Sequence, residues 1–284
     1  MTNVDQFGSV FRAASKPVFR IEPPGIERVL VVTDLDAAAS ESFVAAVRSF
    51  LGVLGGGVEW LTLDGDGYGN VSELLREVER RSVDVVLTFR HLKSDAWQWP
   101  YSLGEHVDVL TQVASLPVMV LPHPERGGAL PHALADTNRV LVVTDHLTGS
   151  DRLVNWGLAF AESDARLWLA HVEDERTFER YVDAFSRIPT IDTEMARDEL
   201  RARLLKDPHD YITSCREALA SEKPNLEVEE VVALGHRLVE VQRLIDQYAL
   251  DLIIMNTKDE SQGAMSDLAY ALAVEVRSIP LLLL

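Results

Sequence analysis

The sequence predicts an α/β protein: two tandem doubly wound parallel-sheet domains with helices on both faces, the first lacking one edge strand. Three observations carry this. The heptapeptide Arg28-Val29-Leu30-Val31-Val32-Thr33-Asp34 recurs unchanged as Arg139–Asp145. Two later echoes keep the same order: Val83–Leu87 answers Leu250–Ile254, and Leu116–Leu121 answers Ile279–Leu284. Ordered repetition of this kind marks a copied unit. The repeated runs are also apolar at successive positions, and a strand hydrophobic on both faces must be covered on both sides, as in a parallel sheet flanked by helices.

Each element follows from local pattern. In the first half, the strand ending at Asp34 leads to a helix over 41–54, a short strand over 58–63 and a helix over 72–81. Asn70 or Ser72 is the candidate cap of that second helix. A helix over 104–114 precedes the last strand. The second half repeats the scheme with a helix over 150–162 and strands over 166–172, 226–232 and 250–256. Helices over 238–248 and 266–277 complete it. Residues 174–222 are charged and amphipathic and read as two or three helices, broken near Ile188-Pro189 and again at Pro208. Asp34 and Asp84 are 50 residues apart, whereas Asp145 and Asp251 are 106 apart. The surplus is room for one more crossover and strand, so four strands are expected in the first domain and five in the second. Such an alternation selects the doubly wound architecture, with ligands expected where the ends of the first and fourth strands lie side by side. The boundaries follow: an arm over 1–25 ending in Pro23-Pro24-Gly25, a domain over 26–121, a Pro- and Gly-containing linker over 122–137, and a domain over 138–284.

Composition narrows the function. The 284 residues carry 27 basic and 45 acidic side chains, a formal charge of −18, with 47% hydrophobic residues. These are globular values. An acidic surface with no basic stripe repels a phosphate backbone, which argues against nucleic-acid binding. Cys215 is the sole cysteine, so neither an intrachain disulfide nor a thiolate metal cluster can form. No run approaches the roughly 18 apolar residues of a membrane span, and residues 1–27 lack the apolar core of a secretory signal. A cytoplasmic protein, without a membrane partner, is expected.

The order of these motifs resembles the universal stress protein family in its tandem form. The resemblance rests on the opening strand ending in Thr-Asp, the Gly235 turn before a helix, the Ala249–Met255 strand, and the closing Ser278-Ile279-Pro280 before an apolar strand. It covers about 26–121 and 138–284 and implies small α/β domains, usually dimeric, that bind ATP in some members and not in others. ATP-binding members carry Gly-x2-Gly-x9-Gly-Ser/Thr after the fourth strand, where backbone amides and a helix N-terminus cradle phosphates.

That segment is degenerate here. In the second copy, Asn256 to Asp267 holds one glycine, Gly263, and Asp267 stands where the last glycine belongs. Asp259, Glu260 and Asp267 would face a polyphosphate, and two like charges about 4 Å apart repel by roughly 4 kcal/mol at an effective dielectric of 20. Lys258 or a metal ion would offset part of this. In the first copy, Gly104 keeps the family position, but Glu105 replaces the small hydroxyl residue and Trp97, Trp99 and Tyr101 add bulk. If a nucleotide binds, the resemblance assigns Thr144, Asp145, Gly235, Asn256, Gly263 and Ser266 to it. Thr33 and Asp34 are the first-copy counterparts of Thr144 and Asp145, and a helix or turn cap is the competing role for both aspartates. Arg90, His91 and Lys93 remain as a candidate small-anion site, with packing of the aromatic loop over the sheet edge or an inter-domain seam, or a partner-binding patch, as the alternatives. Arg237 is read either as an anion contact or as a solvated helix-start residue.

Other chemistries lack their motifs. There is no Gly-x4-Gly-Lys-Ser/Thr, Gly-x-Ser-x-Gly or His-Glu-x-x-His, and Cys215 has no activating base in sequence, so it reads as a partly buried thiol. The expectation is a non-catalytic stress-response or interaction protein with no catalytic residue, resident cofactor or metal. The alternatives are an adenine-nucleotide binder, with ATP and Mg and slow hydrolysis, or a small-anion or metabolite sensor. The apolar closing strand needs a cover. Pairing with Leu116–Leu121 within the chain, a homo-oligomer, or a protein partner would each supply it.

Overall fold

The structure is a computed structural model that describes residues 18–95, 101–126, 128–144, 150–257 and 265–284. Its strands are β1 (Arg28–Val32), β2 (Glu59–Leu63), β3 (Val85–Phe89), β4 (Val118–Leu121), β5 (Arg139–Thr144), β6 (Arg166–Asp174), β7 (Glu227–Gly235), β8 (Leu252–Met255) and β9 (Leu281–Leu283). The α-helices are α1 (Ala37–Phe50), α2 (Val71–Arg81), α3 (Glu105–Val113), α4 (Asp151–Phe160), α5 (Glu175–Ser186), α6 (Thr193–Glu222), α7 (Arg237–Tyr248) and α8 (Asp267–Glu275).

The prediction of two separate parallel sheets is overturned. All nine strands form one continuous sheet in the order β2-β1-β3-β4-β9-β8-β5-β6-β7. The halves meet where β4 pairs antiparallel with β9, setting Val118 opposite Leu283, Met119 opposite Leu282 and Val120 opposite Leu281. The other strand pairs are parallel, so the sheet is mixed. The cause is edge chemistry. Each half ends in a strand that is apolar and buried throughout, and an exposed edge of that composition leaves a row of backbone donors and acceptors unpaired. Joining the two removes both edges. The strand order β2-β1-β3-β4 of one half has its counterpart in β6-β5-β8-β9, and β7 adds a strand outside β6 that nothing matches beside β2.

The echoed aspartates brace the start of each opening strand. Asp84 accepts from the amides of Glu27 and Arg28, both at 2.8 Å. Asp251, fully buried, accepts from the Arg139 amide at 2.9 Å and from its guanidinium at 3.1 and 3.0 Å.

Helix boundaries follow their caps. Asp36 accepts from Ala39 N and starts α1 four residues before the expected position; Asn70, not Ser72, caps α2 by accepting from Glu73 N. Two helices fill 174–222, and Pro208 does not break the second. A proline inside a helix costs about 3 kcal/mol. Here Pro208, Tyr211, Ile212, Cys215 and Leu219 are buried together on one stretch, and that packing outweighs the lost hydrogen bond.

Two further contacts tie the halves together. The described part of the N-terminal arm leaves its own half and lies on the other: Asn155 of α4 accepts from Glu22 N and donates to Arg20 O, both at 2.8 Å, while Phe19 meets Tyr211 edge-on. Arg90, just past β3, is 6% exposed and donates to Ala273 O at 3.1 and 2.6 Å and to Val276 O, capping the C-terminal end of α8. Burial, with Arg277 nearby, lowers its pKa to about 9.

Replacing Arg90 with Ala leaves those helix-end carbonyls buried and unmet, so Arg90→Ala should cost about 2–4 kcal/mol in urea unfolding, with Arg90→Lys recovering only part. Since the halves share one sheet, Leu282→Asp should weaken amide protection in β1 and β3 as well as in β5 and β8. Protection lost in one half alone would mean that the sheet does not unfold as a unit.

Candidate functional site

Parallel sheets present their ligand crevices at the carboxyl ends of the strands. In the second half the strands place Thr144 at the end of β5, with Asn256 one residue beyond the Val143–Met255 pair of the neighbouring strand. Thr257 accepts from Ser266 N at 2.7 Å, drawing the start of α8 to the same end. Thr144, Asn256 and Ser266 are therefore brought together. The Ser266 hydroxyl oxygen accepts from Ala269 N at 3.2 Å and caps α8, which leaves its proton to donate. Gly235 is not part of this group. Thr144 is in register with His171 and Val232, so Gly235 lies two strands over and three residues further along, roughly 14 Å away by strand spacing and rise. Asp145 and Gly263, with Lys258, Asp259 and Glu260, lie outside the described residues.

One residue at this end escaped the sequence reasoning. His171 is fully buried beside Thr144. Its Nε2 is 3.3 Å from Glu173 Oε2, and its Nδ1 has no hydrogen-bond partner among the described residues. The His171 hydrogen bond, reinforced by the charge of Arg237, holds the Glu173 carboxyl below its ordinary pKa despite burial. Arg237 is half-buried and donates to Val172 O at 2.8 Å, so it braces the end of β6 and is not a solvated helix start. No sequence signal marked His171, because only the β5–β6 register sets it against Thr144.

The corresponding end of the first half is closed by its own side chains. Asp34 does not cap α1, which Asp36 does; its Oδ2 accepts from Lys93 N at 2.8 Å. The Lys93 ammonium lies 4.9 Å from the centre of the Tyr68 ring and donates to Gly65 O, and the Tyr68 hydroxyl donates to Thr33 O at 3.0 Å. Gly65 is required, because a Cβ there would stand 2.8 Å from Asp34 O. Thr33 is buried with its hydroxyl 2.6 Å from that of Ser40. The segment after β3 folds back tightly: His91 and Lys93 have φ of 60° and 52°, His91 N donates to Leu103 O, and Gly104 at φ 87° would put a Cβ 2.8 Å from His91 Cα.

This geometry redistributes the small-anion candidates. Arg90 is spent on α8 and Lys93 on Gly65 and Tyr68. His91 is 3% exposed, with both ring nitrogens lacking a hydrogen-bond partner among the described residues. Burial, helped by Arg277, Arg90 and Arg126, lowers its pKa. Tyr101 is exposed, while Trp97 and Trp99 lie outside the described residues. Among the described residues no group of three or more His, Cys, Asp or Glu is placed to hold a metal ion, and no helix is long and apolar enough to cross a membrane.

Two expectations follow. Burial lowers the pKa of His91, His106 and His123, the last to about 4. In the unfolded chain histidine takes up its proton near pH 6.5, so below that point the unfolded state binds protons that the fold refuses. Stability should be level above about pH 7 and fall from about 6.5 towards 4. His123→Phe, which keeps a ring against Phe89, should flatten that fall in denaturation midpoints measured across the range. Cys215 is buried, and burial pushes its thiol up to about 12. It should resist an aromatic disulfide reagent in the native protein and react at once in denaturant; rapid native labelling would contradict the packing of α6.

Comparison with known proteins bears on the fold. Residues 137–268 match the model of the Universal stress protein family. No curated protein matches the chain. Among solved structures, a universal stress protein from Archaeoglobus fulgidus DSM 4304 is 14% identical at a TM-score of 0.52, over 90% of this chain and 95% of that one. A putative universal stress protein from Pseudomonas aeruginosa UCBPP-PA14 is 14% identical at a TM-score of 0.51, over 91% and 93%. A functionally unknown protein, PA1789, from Pseudomonas aeruginosa PAO1 is 13% identical at a TM-score of 0.50, over 91% and 92%. Identities this low speak to architecture alone, and with the family match over 137–268 they give the chain a universal-stress-protein fold.

Proposed function

We propose that this chain is a non-catalytic protein of the stress-response type that works by interaction and does not bind ATP, built from one folding unit that was copied and then altered at its phosphate segments. The observation that carries the reading is the use of Asp34. In the first half the strand-end carboxylate that the resemblance assigns to a nucleoside is committed to the Lys93 amide. The Lys93 ammonium, Tyr68 and Gly65 complete the closure over it. A nucleotide entering there would break these contacts and meet the His91–Gly104 backbone contact. In the second half the segment after β8 carries Asp259 and Glu260 and a single glycine, which supports the same reading by charge.

Adenine-nucleotide binding in the second half is the alternative. It is favoured by the convergence of Thr144, Asn256 and Ser266 at one strand end, beside a buried His171 nitrogen with no described partner. Calorimetry of the freshly purified chain with ATP, with and without Mg²⁺, separates the two. No heat of binding and no nucleotide released on denaturation are expected. Saturable binding that Asn256→Ala and Ser266→Ala abolish would overturn the proposal in favour of the alternative.

A further inference from the structure

The N-terminal arm and α4 flank a cavity of about 460 Å³, a volume within the range of small-molecule sites. Its two walls come from different halves of the chain. The arm, which leads into β1, contributes Arg20 and Glu22, and the first turns of α4 contribute Asp151, Arg152, Asn155 and Trp156. Both walls are fixed. Phe19, 3% exposed, anchors the arm edge-on against Tyr211, and the buried Asn155 spends both ends of its amide on the arm backbone, accepting from Glu22 N and donating to Arg20 O. Asp151 is held by the Tyr211 hydroxyl, which donates to its Oδ1 at 2.8 Å. Arg20, Glu22 and Arg152 are exposed, so the cavity opens to solvent and a small molecule can enter. Four charged side chains thus line it, two of each sign, and none of them forms an ion pair among the described residues. Elsewhere the protein pairs such groups, as Arg28 with Glu59 and Arg166 with Glu227. Burial lowers the pKa of Arg152, so part of its guanidinium hydration is given up without a carboxylate in exchange. Trp156 is 7% exposed, and its indole N–H makes no hydrogen bond among the described residues.

We propose that this cavity is a binding site for a small zwitterion of the α-amino-acid class, its carboxylate taken by Arg20 and Arg152 and its ammonium by Glu22 and Asp151. Charge selects the class. A simple anion would gain two guanidiniums but face two carboxylates, and a simple cation would meet the reverse. Only a molecule that carries both signs finds partners for each, in charge-assisted hydrogen bonds that strengthen where water is partly excluded. The Trp156 ring gives the ligand an apolar surface to pack on, and its indole N–H supplies a further donor. The site goes beyond the reading given for the strand ends. None of Thr144, Gly235, Asn256 or Ser266 lines it, so binding or rejection of ATP at those residues has no bearing on it. Because one wall is the arm, an occupied site also holds the arm on α4 and ties the first half to the second, since a ligand stabilises the state that binds it.

Calorimetric titration of the full chain with each of the common amino acids, and with acetate, inorganic phosphate and ethylammonium as single-sign controls, tests this. Saturable binding of one or more amino acids at millimolar or lower concentration is expected, with no binding of the controls. Arg152→Gln and Arg20→Gln should each weaken it about tenfold or more. Neither side chain is in an ion pair among the described residues, so the unfolding midpoint should not move, and Arg76→Gln, on α2, should leave binding intact. As a second readout, the bound amino acid should slow tryptic cleavage after Arg20 several-fold in the native protein and give no such protection to Arg152→Gln. Failure of every amino acid to bind would overturn the proposal. So would a control that binds as tightly, an affinity indifferent to both arginine substitutions, or cleavage that the amino acid does not slow.

Discussion

The antiparallel pairing of β4 with β9 is the constraint on which the rest of the molecule depends. Each is the last strand of its half, each is apolar at every position, and neither is long enough or polar enough to stand as an edge. Setting them side by side converts two half-sheets into one and makes the boundary between the halves as buried as any other part of the core. Arg90 reinforces it in a way that hydrophobic contact alone would not. A guanidinium presents several donors in a fixed fork, and here that fork meets carbonyls at the end of α8, where the helix has none of its own amides left to satisfy them. The crossing arm adds a third tie through the two-way amide contact of Asn155.

This seam has consequences at the strand ends. With Arg90 directed into α8, the segment after β3 has lost a cation that an anion site would need. The left-handed turns at His91 and Lys93 bring the Lys93 amide to Asp34. A close backbone approach at Gly104, possible only without a side chain, then fixes the fold-back of the whole segment. The first half thus uses its strand-end carboxylate for internal structure. The second half brings Thr144, Asn256 and Ser266 close together at the corresponding end. The two halves share connectivity and differ in what their crevices hold.

The long insertion before β7 is the other departure from equality between halves. Its inner part behaves as core, tolerating Pro208 because the surrounding side chains pack, whereas its outer part projects with a nearly balanced charge and an apolar end.

The amino-acid sequence by itself determined the strands and helices, their order, four strands in one half and five in the other, and the buried character of Cys215. These are written in local hydrophobic period, cap residues and repetition, all of which act over a few residues. It also placed Thr144 and Asn256 at strand ends, since the apolar runs stop there. What only the tertiary structure decided are relations between distant segments. The merging of two sheets rests on which edges meet, the role of Arg90 on a helix 183 residues away, and the placing of His171 against Thr144 on strand register. Gly235 shows the same limit from the other side: it has the right neighbours in sequence, but β6 stands between it and the strand end it was assigned to. Apolar pattern reports that a surface must be covered; the partner that covers it is set by the geometry of the whole chain.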